Sequence, residues 1–326
     1  MNPSQSEFQL SVAEGPHWRD GGSLVRTQLT WLVGLLPAAI ASVATFGFHS
    51  LRVMALAVGA AVVFDALANR VFRSKDFTTN WSSVTLGLLL AFLLPVNAPW
   101  WLVVVGCFLA VVVGKKIYGG WGGYPVHPVA LAYAMLTVSW PARLDRTAAL
   151  VSEGWDTTMI EPVRLLKTQG AIAEAAYTKL DLLHGMQVGG VANALVVWLL
   201  LGGIFLVVVR QVPWQIPLGC FAGVALCAGV VRLAAPALGA SPLFHLLIGS
   251  TVFCGCFLLP ELTTSPVNRW PMVLYGLLGG ILLVLIRVYS THAEEAIFAV
   301  LLANIAAPLL DRLAPRIRGL EVASDA

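Results

Sequence analysis

Charge is what this sequence has least of. Lys, Arg, Asp and Glu make up 11% of its 326 residues, less than half the share usual in soluble domains. So little charge excludes an ordinary soluble protein. The 20 basic and 17 acidic side chains nearly cancel, and without a basic stripe or cluster nothing points to nucleic acid. Cysteine is scarce as well. Cys107, Cys220, Cys227, Cys254 and Cys256 all fall in apolar stretches, which argues against a disulfide framework. Cys254 and Cys256 stand two apart, so on a helix they point in different directions, as packing residues rather than iron–sulfur ligands. The first 28 residues lack the apolar core of a signal peptide. Also missing are a Walker loop, a dinucleotide fingerprint followed by an acidic residue, and a hydrolytic triad signature.

What the chain does have is apolar length. Hydrophobic residues make up 58% of it. A helix needs roughly 20 apolar residues to cross a bilayer. Ten runs are candidates: 29–48, 51–68, 82–96, 100–117, 127–141, 191–209, 214–233, 243–260, 271–289 and 294–311. This pattern predicts an all-α polytopic membrane protein with both termini on one side. Twelve Lys and Arg, among them Arg70, Lys115, Lys116, Arg210, Arg269 and Arg312, fall on the N-terminal side of the bilayer. Only Arg52, Arg232 and Arg287 fall in short segments on the other. Because cytoplasmic loops carry the excess of Lys and Arg, both termini are expected in the cytoplasm.

The one long insertion, 142–187, follows the fifth run and divides the chain. The expected organisation is a cytoplasmic tail over 1–28, a five-helix repeat over 29–141, an outer loop over 142–187, a second five-helix repeat over 188–313 and a cytoplasmic tail over 314–326. An odd number of spans per half makes any repeat inverted across the membrane. SSVTLGLLLAFLLP (82–95) resembles GSTVFCGCFLLP (249–260), and ALAYAML (130–136) resembles AIFAVLL (296–302). The matches occur in the same order and at corresponding positions.

Polar groups inside a membrane are expensive, which makes them functional candidates. The stretch 111–140 stands out. An apolar helix runs into Lys115 and Lys116, and Gly119, Gly120, Gly122 and Gly123 follow. Tyr124, Pro125, His127 and Pro128 come next, before apolar sequence resumes. Glycine permits close backbone approach, and proline stops a helix. Irregular backbone at membrane depth survives where protein buries it or where it lines a cavity. The bland alternative is a tight cytoplasmic turn anchored by lysines. Two runs of small hydrogen-bonding residues, 78–85 and Glu261, Thr263, Thr264 and Ser265, occupy repeat-related places and are read as facing half-sites. Asp65 and Asn69 could pair with Arg70 or Arg73 or bind a ligand. His127 has only His245 as a mate for haem, too few histidines for a cytochrome. Asp156, Thr157 and Thr158 are candidate caps for a helix around Val163 and Leu166.

The segment GKKIYGGWGGYPVHPVALAYAML resembles the signature of the large membrane subunits of two related respiratory complexes. These are the D-type subunit of the Rnf ferredoxin:NAD oxidoreductase and the B-type subunit of the sodium-pumping NADH:quinone oxidoreductase. The usual pattern is G-K-x-x-[FY]-G-G-x-G, then N-x-x-N-P. Gly114, Lys115, Tyr118, Gly119, Gly120, Gly122 and Pro128 match it. Residues 83–101 and 274–312, including Asn304, Pro308 and Asp311, are similar too, so the resemblance covers roughly 70–315. It implies ten helices in two inverted five-helix halves. It also implies a non-covalent riboflavin near N-x-x-N-P and FMN esterified to a threonine of the outer loop. The implied role is electron relay coupled to Na+ or H+ movement in a bacterial inner membrane, beside other membrane, iron–sulfur and flavin subunits.

The departures are specific. Tyr124 and His127 replace the two asparagines. The acceptor motif S-G-A-T is missing, and alignment on Pro162 to Lys167 puts Glu161 at the acceptor position. Alignment on Asp156 offers Thr157 or Thr158 instead, so the expected flavin is riboflavin or FMN held without a covalent bond, with Thr158 the candidate should one form. The expected binding residues are Gly119, Gly120, Gly122, Tyr124 and His127, faced by Thr263 and Thr264. The competing expectation is a permease that keeps the inverted fold and has lost the redox role.

Overall fold

The computed structural model describes residues 24–72, 79–147, 161–290 and 295–313, and every regular element among them is helical. Four helices are long and apolar enough to cross a membrane: α1 (Leu24–Phe46), α2 (Phe48–Phe72), α9 (Gln215–Ala234) and α12 (Arg269–Tyr289). The remaining elements of the bundle are shorter. They are α3 (Thr79–Leu93), α4 (Trp100–Phe108), α5 (Pro128–Ser139), α8 (Val196–Val208) and α13 (Glu295–Asp311). α4 runs on without a break into a π-helical segment, Leu109–Lys116. Its exit is marked by i→i−5 bonds from Ile117 N–H to Val112 O and from Gly120 N–H to Lys115 O.

The expected eighth span, 243–260, is not one helix. It is α10 (Pro242–Leu247), a break, the single turn α11 (Thr251–Phe253) and a second π segment, Cys254–Leu258. Gly249 takes a positive φ of 62° at the break, a backbone conformation open to glycine at little cost. The carbonyls freed there are satisfied by Arg287, which is fully buried. Its Nη1 donates to His245 O at 2.7 Å, and its Nη2 to Thr251 Oγ1 at 2.8 Å and Ile248 O at 3.3 Å. Nη2 also donates to Glu295 Oε1 at 2.8 Å. A buried cation at a helix C-terminus both bonds orphan carbonyls and faces the negative end of the helix dipole.

α2 lies against α3 and α4, and α9 lies against α10 and α12. α5 packs on the π segment after α4, and α13 packs on α12. Between helices far apart in the chain, α1 meets α8, and α5 meets α13. In the α9–α12 pair, glycines four apart let the backbones touch. A Cβ at Gly223 would sit 2.3 Å from Leu277 O, and one at Gly280 would sit 2.1 Å from Cys220 O. Small residues at such spacing drive helix association where lipid supplies no hydrophobic force.

Between the halves, α6 (Pro162–Gln169) and α7 (Lys179–His184) lie in the expected outer loop. α6 starts directly after Glu161, which pairs with buried Arg146 at 2.8 Å. The cap position is therefore Glu161, and the expected capping residues Asp156, Thr157 and Thr158 lie outside the described residues.

Candidate flavin pocket

The π segment after α4 delivers Lys115 into the bundle rather than to water. Its Nζ is fully buried and donates to Asp65 Oδ1 at 3.2 Å, Ser82 Oγ at 2.6 Å and Ser83 Oγ at 3.1 Å. Lys116 shares Asp65 at 3.3 Å and also bonds Asn69. The lysines therefore join α2 and the start of α3 to the loop, which the turn reading did not anticipate. The glycines that follow turn the chain. Gly119, Gly120 and Gly122 have φ of 98°, 99° and 92°, and a Cβ on Gly119 or Gly122 would meet no protein atom within 4 Å. Backbone conformation, not close approach, is what requires glycine at those two positions. Close approach applies at Gly123, where a Cβ would sit 2.2 Å from Tyr118 O.

The loop then crosses to the other half. The Tyr124 hydroxyl donates to Glu261 Oε1 at 2.6 Å, and Thr263 Oγ1 donates to the Tyr124 oxygen at 3.1 Å. The backbone N–H groups of Thr263 and Thr264 donate to Glu261 Oε2 at 3.0 and 3.2 Å. A buried carboxylate is tolerable when donors surround it in this way. His127 caps α5. Its Nδ1 accepts from Val129 N–H at 3.2 Å and Ala130 N–H at 3.4 Å, while the backbone N–H of His127 donates to Asn304 Oδ1 at 2.9 Å. An acceptor role at Nδ1 leaves the ring proton on Nε2. That atom is buried and has no partner.

His127 borders a narrow cavity. Around it stand Gln28 and Trp31 of α1, Ser82 and Thr85 of α3, Trp121 of the glycine loop, and Glu261. The two polar runs read as facing half-sites thus reach one cavity through Ser82, Thr85 and Glu261. Gln28 accepts from Thr85 Oγ1 at 2.9 Å, which leaves its Nε2 buried without a partner. Trp31 is held edge-on by Phe257 of the second π segment, with ring centroids 6.3 Å apart. The free space is about 20 Å³, room for about one water molecule.

Of the expected residues His127 lines this cavity, whereas Tyr124, Thr263 and Thr264 gather on Glu261 beside it. Gly119, Gly120 and Gly122 shape the loop, and Thr158 lies outside the described residues. His245 belongs to a different cluster, beside Arg287. Sequence reasoning missed Gln28, Trp31 and Trp121. Gln28 sits just ahead of the first apolar run, and only the tertiary fold turns it inward. Among the described residues no group of three or more His, Cys, Asp or Glu side chains could hold a metal ion.

These features define a helical multi-pass membrane protein with a tryptophan-lined cavity where a glycine loop meets a broken helix. The chain belongs to the NQR2, RnfD, RnfE family, which it matches over residues 11–319. It is 31% identical over 309 residues to the D-type subunit of the Na(+)-translocating ferredoxin:NAD(+) oxidoreductase complex of Acetobacterium woodii, covering 94% of each chain. It is 30% identical over 337 residues to the D-type subunit of the ion-translocating oxidoreductase complex of Vibrio cholerae, covering 92% of this chain and 96% of that one. The subunit of the same name from Salmonella paratyphi A is 30% identical over 344 residues, covering 94% and 98%.

Proposed function

We propose that this chain is the D-type membrane subunit of an Rnf-like ion-translocating redox complex, and that it holds a flavin beside His127. The observation that carries the reading is the pair of buried, unpartnered donors, His127 Nε2 and Gln28 Nε2, at one cavity. An unsatisfied buried donor costs about 1–3 kcal/mol, and the carbonyl edge of a flavin ring supplies the acceptors that would repay it. The donor set fits such a ring, and Trp31 suits one of its faces. The space does not admit a ring while Trp121 is in place. Trp121 therefore has to swing out, and the positive-φ glycines on either side of it allow that.

When bound, the flavin would accept and pass on single electrons or pairs. The chain's own part is to hold it away from water, to bond its edge through His127 and Gln28, and to keep Lys115, Lys116 and Asp65 paired behind Ser82. Kinship with the ion-translocating oxidoreductase subunits named above supports a role in electron relay, here assigned to iron–sulfur and flavin partner subunits and coupled to Na+ or H+ movement. The FMN would not be esterified, since the S-G-A-T acceptor is missing. Riboflavin is the flavin of choice for the His127 cavity.

In this reading the ten spans form two inverted halves, 29–141 and 188–313, with the outer loop between them. Both termini face the cytoplasm of a bacterial inner membrane. Support comes from contacts between equivalent helices, α1 with α8 and α5 with α13. It also comes from the equivalent buried cations Lys115 and Arg287, each at the end of a fourth helix and each bonded to a third.

The test is the absorption spectrum of the protein purified with its partners, before and after acid precipitation. Flavin that stays in the supernatant, and falls in His127→Asn while helix content is kept, is the expected result. Asn preserves the cap but shortens the reach. Flavin that follows the precipitate overturns the non-covalent assignment. No flavin at all selects the second reading, a permease, which the broken eighth span favours.

A further inference from the structure

A second cavity, of about 620 Å³, opens at the same end of the bundle as the Trp121 pocket, since Leu262 lines both. Its wall combines the α8–α9 turn with the connection into α12, and carries Arg210, Gln211, Trp214, Gln215, Ser265 and Arg269. The two arginines are exposed, and neither makes an ion pair or a side-chain hydrogen bond. Two long helices also begin here. α9 starts at Gln215 and α12 at Arg269, neither with a side-chain cap. Both starts turn the positive end of the helix dipole toward the cavity. Gln215 Oε1 is buried without a partner, an acceptor for a hydroxyl. Asp311, which approaches through Val267, is engaged by the Val267 N–H at 3.2 and 3.4 Å.

We propose that this cavity binds the phosphate headgroup of an anionic phospholipid. The phosphate would sit between Arg210 and Arg269. The source is lipid rather than a soluble phosphate because the mouth is apolar. Trp214, Val267 and Trp270 are 56%, 81% and 74% exposed, and exposed tryptophan at a helix end marks the bilayer interface. Basic pockets between membrane helices hold lipid headgroups in this way. The corresponding place in the first half, between the α1–α2 turn and the start of α4, is a cavity of about 480 Å³ with only Arg52. It provides an internal control of similar shape and lower charge.

Native mass spectrometry of the delipidated full chain, titrated with phosphatidylglycerol against phosphatidylcholine, tests the proposal. The wild type should retain phosphatidylglycerol preferentially. Each of Arg210→Gln and Arg269→Gln should lower that preference about fivefold, and the pair ~25-fold, while Arg52→Gln leaves it unchanged. No preference in the wild type overturns the proposal without reference to any variant. A preference kept by the double variant, or lost equally in Arg52→Gln, also overturns it. Displacement of the lipid by millimolar inorganic phosphate overturns the lipid source, and a purified complex that excludes phosphatidylglycerol assigns the cavity to a partner subunit instead.

Discussion

The Tyr124 hydroxyl donates to Glu261 Oε1 at 2.6 Å, tying the glycine loop to a carboxylate 137 positions further along the chain. Removing that hydroxyl leaves a buried carboxylate short of one donor. Tyr124→Phe should lower stability by about 1–3 kcal/mol, seen as a lower thermal midpoint in detergent. An unchanged midpoint would show that Thr263 and the backbone satisfy Glu261 without it.

Trp121 closes the cavity over His127 and is only half-buried. If its closed position must open before a flavin enters, Trp121→Ala removes that step. Apparent riboflavin affinity should then rise about tenfold, equivalent to a closed state favoured by about 1.4 kcal/mol. Weaker binding would instead make the indole a stacking partner of the flavin.

Two glycines give opposite expectations. A Cβ at Gly123 would lie 2.2 Å from Tyr118 O, whereas one at Gly59 would meet nothing within 4 Å. Gly123→Ala should cost about 1–3 kcal/mol through backbone displacement. Gly59→Ala, on the exposed face of α2, should be neutral or stabilising by up to about 1 kcal/mol. Equal thermal midpoints for the two variants would refute the loop packing.

Arg287→Met strands Glu295 in the interior and should cost about 3–5 kcal/mol. Adding Glu295→Leu should restore part of that. The remainder belongs to the carbonyls of His245 and Ile248, which lose the guanidinium and keep only the single Thr251 hydroxyl as a shared donor. Full recovery in the double variant would show that Arg287 does not hold the helix break.

The outer segment is pinned by Glu174, whose Oε2 accepts from Ser241 N–H at 2.9 Å. Partial burial tends to raise this carboxyl, but the Ser241 hydrogen bonds together with Arg232 and Lys179 hold it below its ordinary 4.5. A depressed acid contributes stability that is fully present above its unfolded value and lost as pH falls through the folded one. Amide exchange around 170–176 should therefore stay slow above about pH 4.5 and, after correction for intrinsic rates, quicken below it. In Glu174→Gln that acid-dependent step should disappear.

Much of the bundle is legible in the sequence because bilayer thickness sets run length, and residue polarity marks where runs end. The pairing of the 78–85 and 261–265 clusters was readable through the internal resemblance at FLLP. The break at Gly249 was not, because the group that satisfies it, Arg287, lies 39 residues beyond Ile248 and counts in the sequence only as a charge near a span edge. Lys115 was hidden for the same reason. As a turn anchor it needs no partner, and only the fold brings Asp65 and Ser82 to it. The close backbone approach expected of the loop glycines applies at Gly123, whereas Gly119 and Gly122 answer to φ.

The two connecting loops that reach the cavity, through Trp121 and Glu261, each follow a π segment, Leu109–Lys116 and Cys254–Leu258. Such a segment amounts to one residue more than an α-helix needs. Inserting a further residue within 109–114 would exceed what the wide turn absorbs, and everything beyond would turn by about 100° about the axis. Lys115 would then face away from Asp65. Deleting one residue instead removes the surplus and leaves the direction of Lys115 unchanged, so this stretch tolerates a change in length of one sign only.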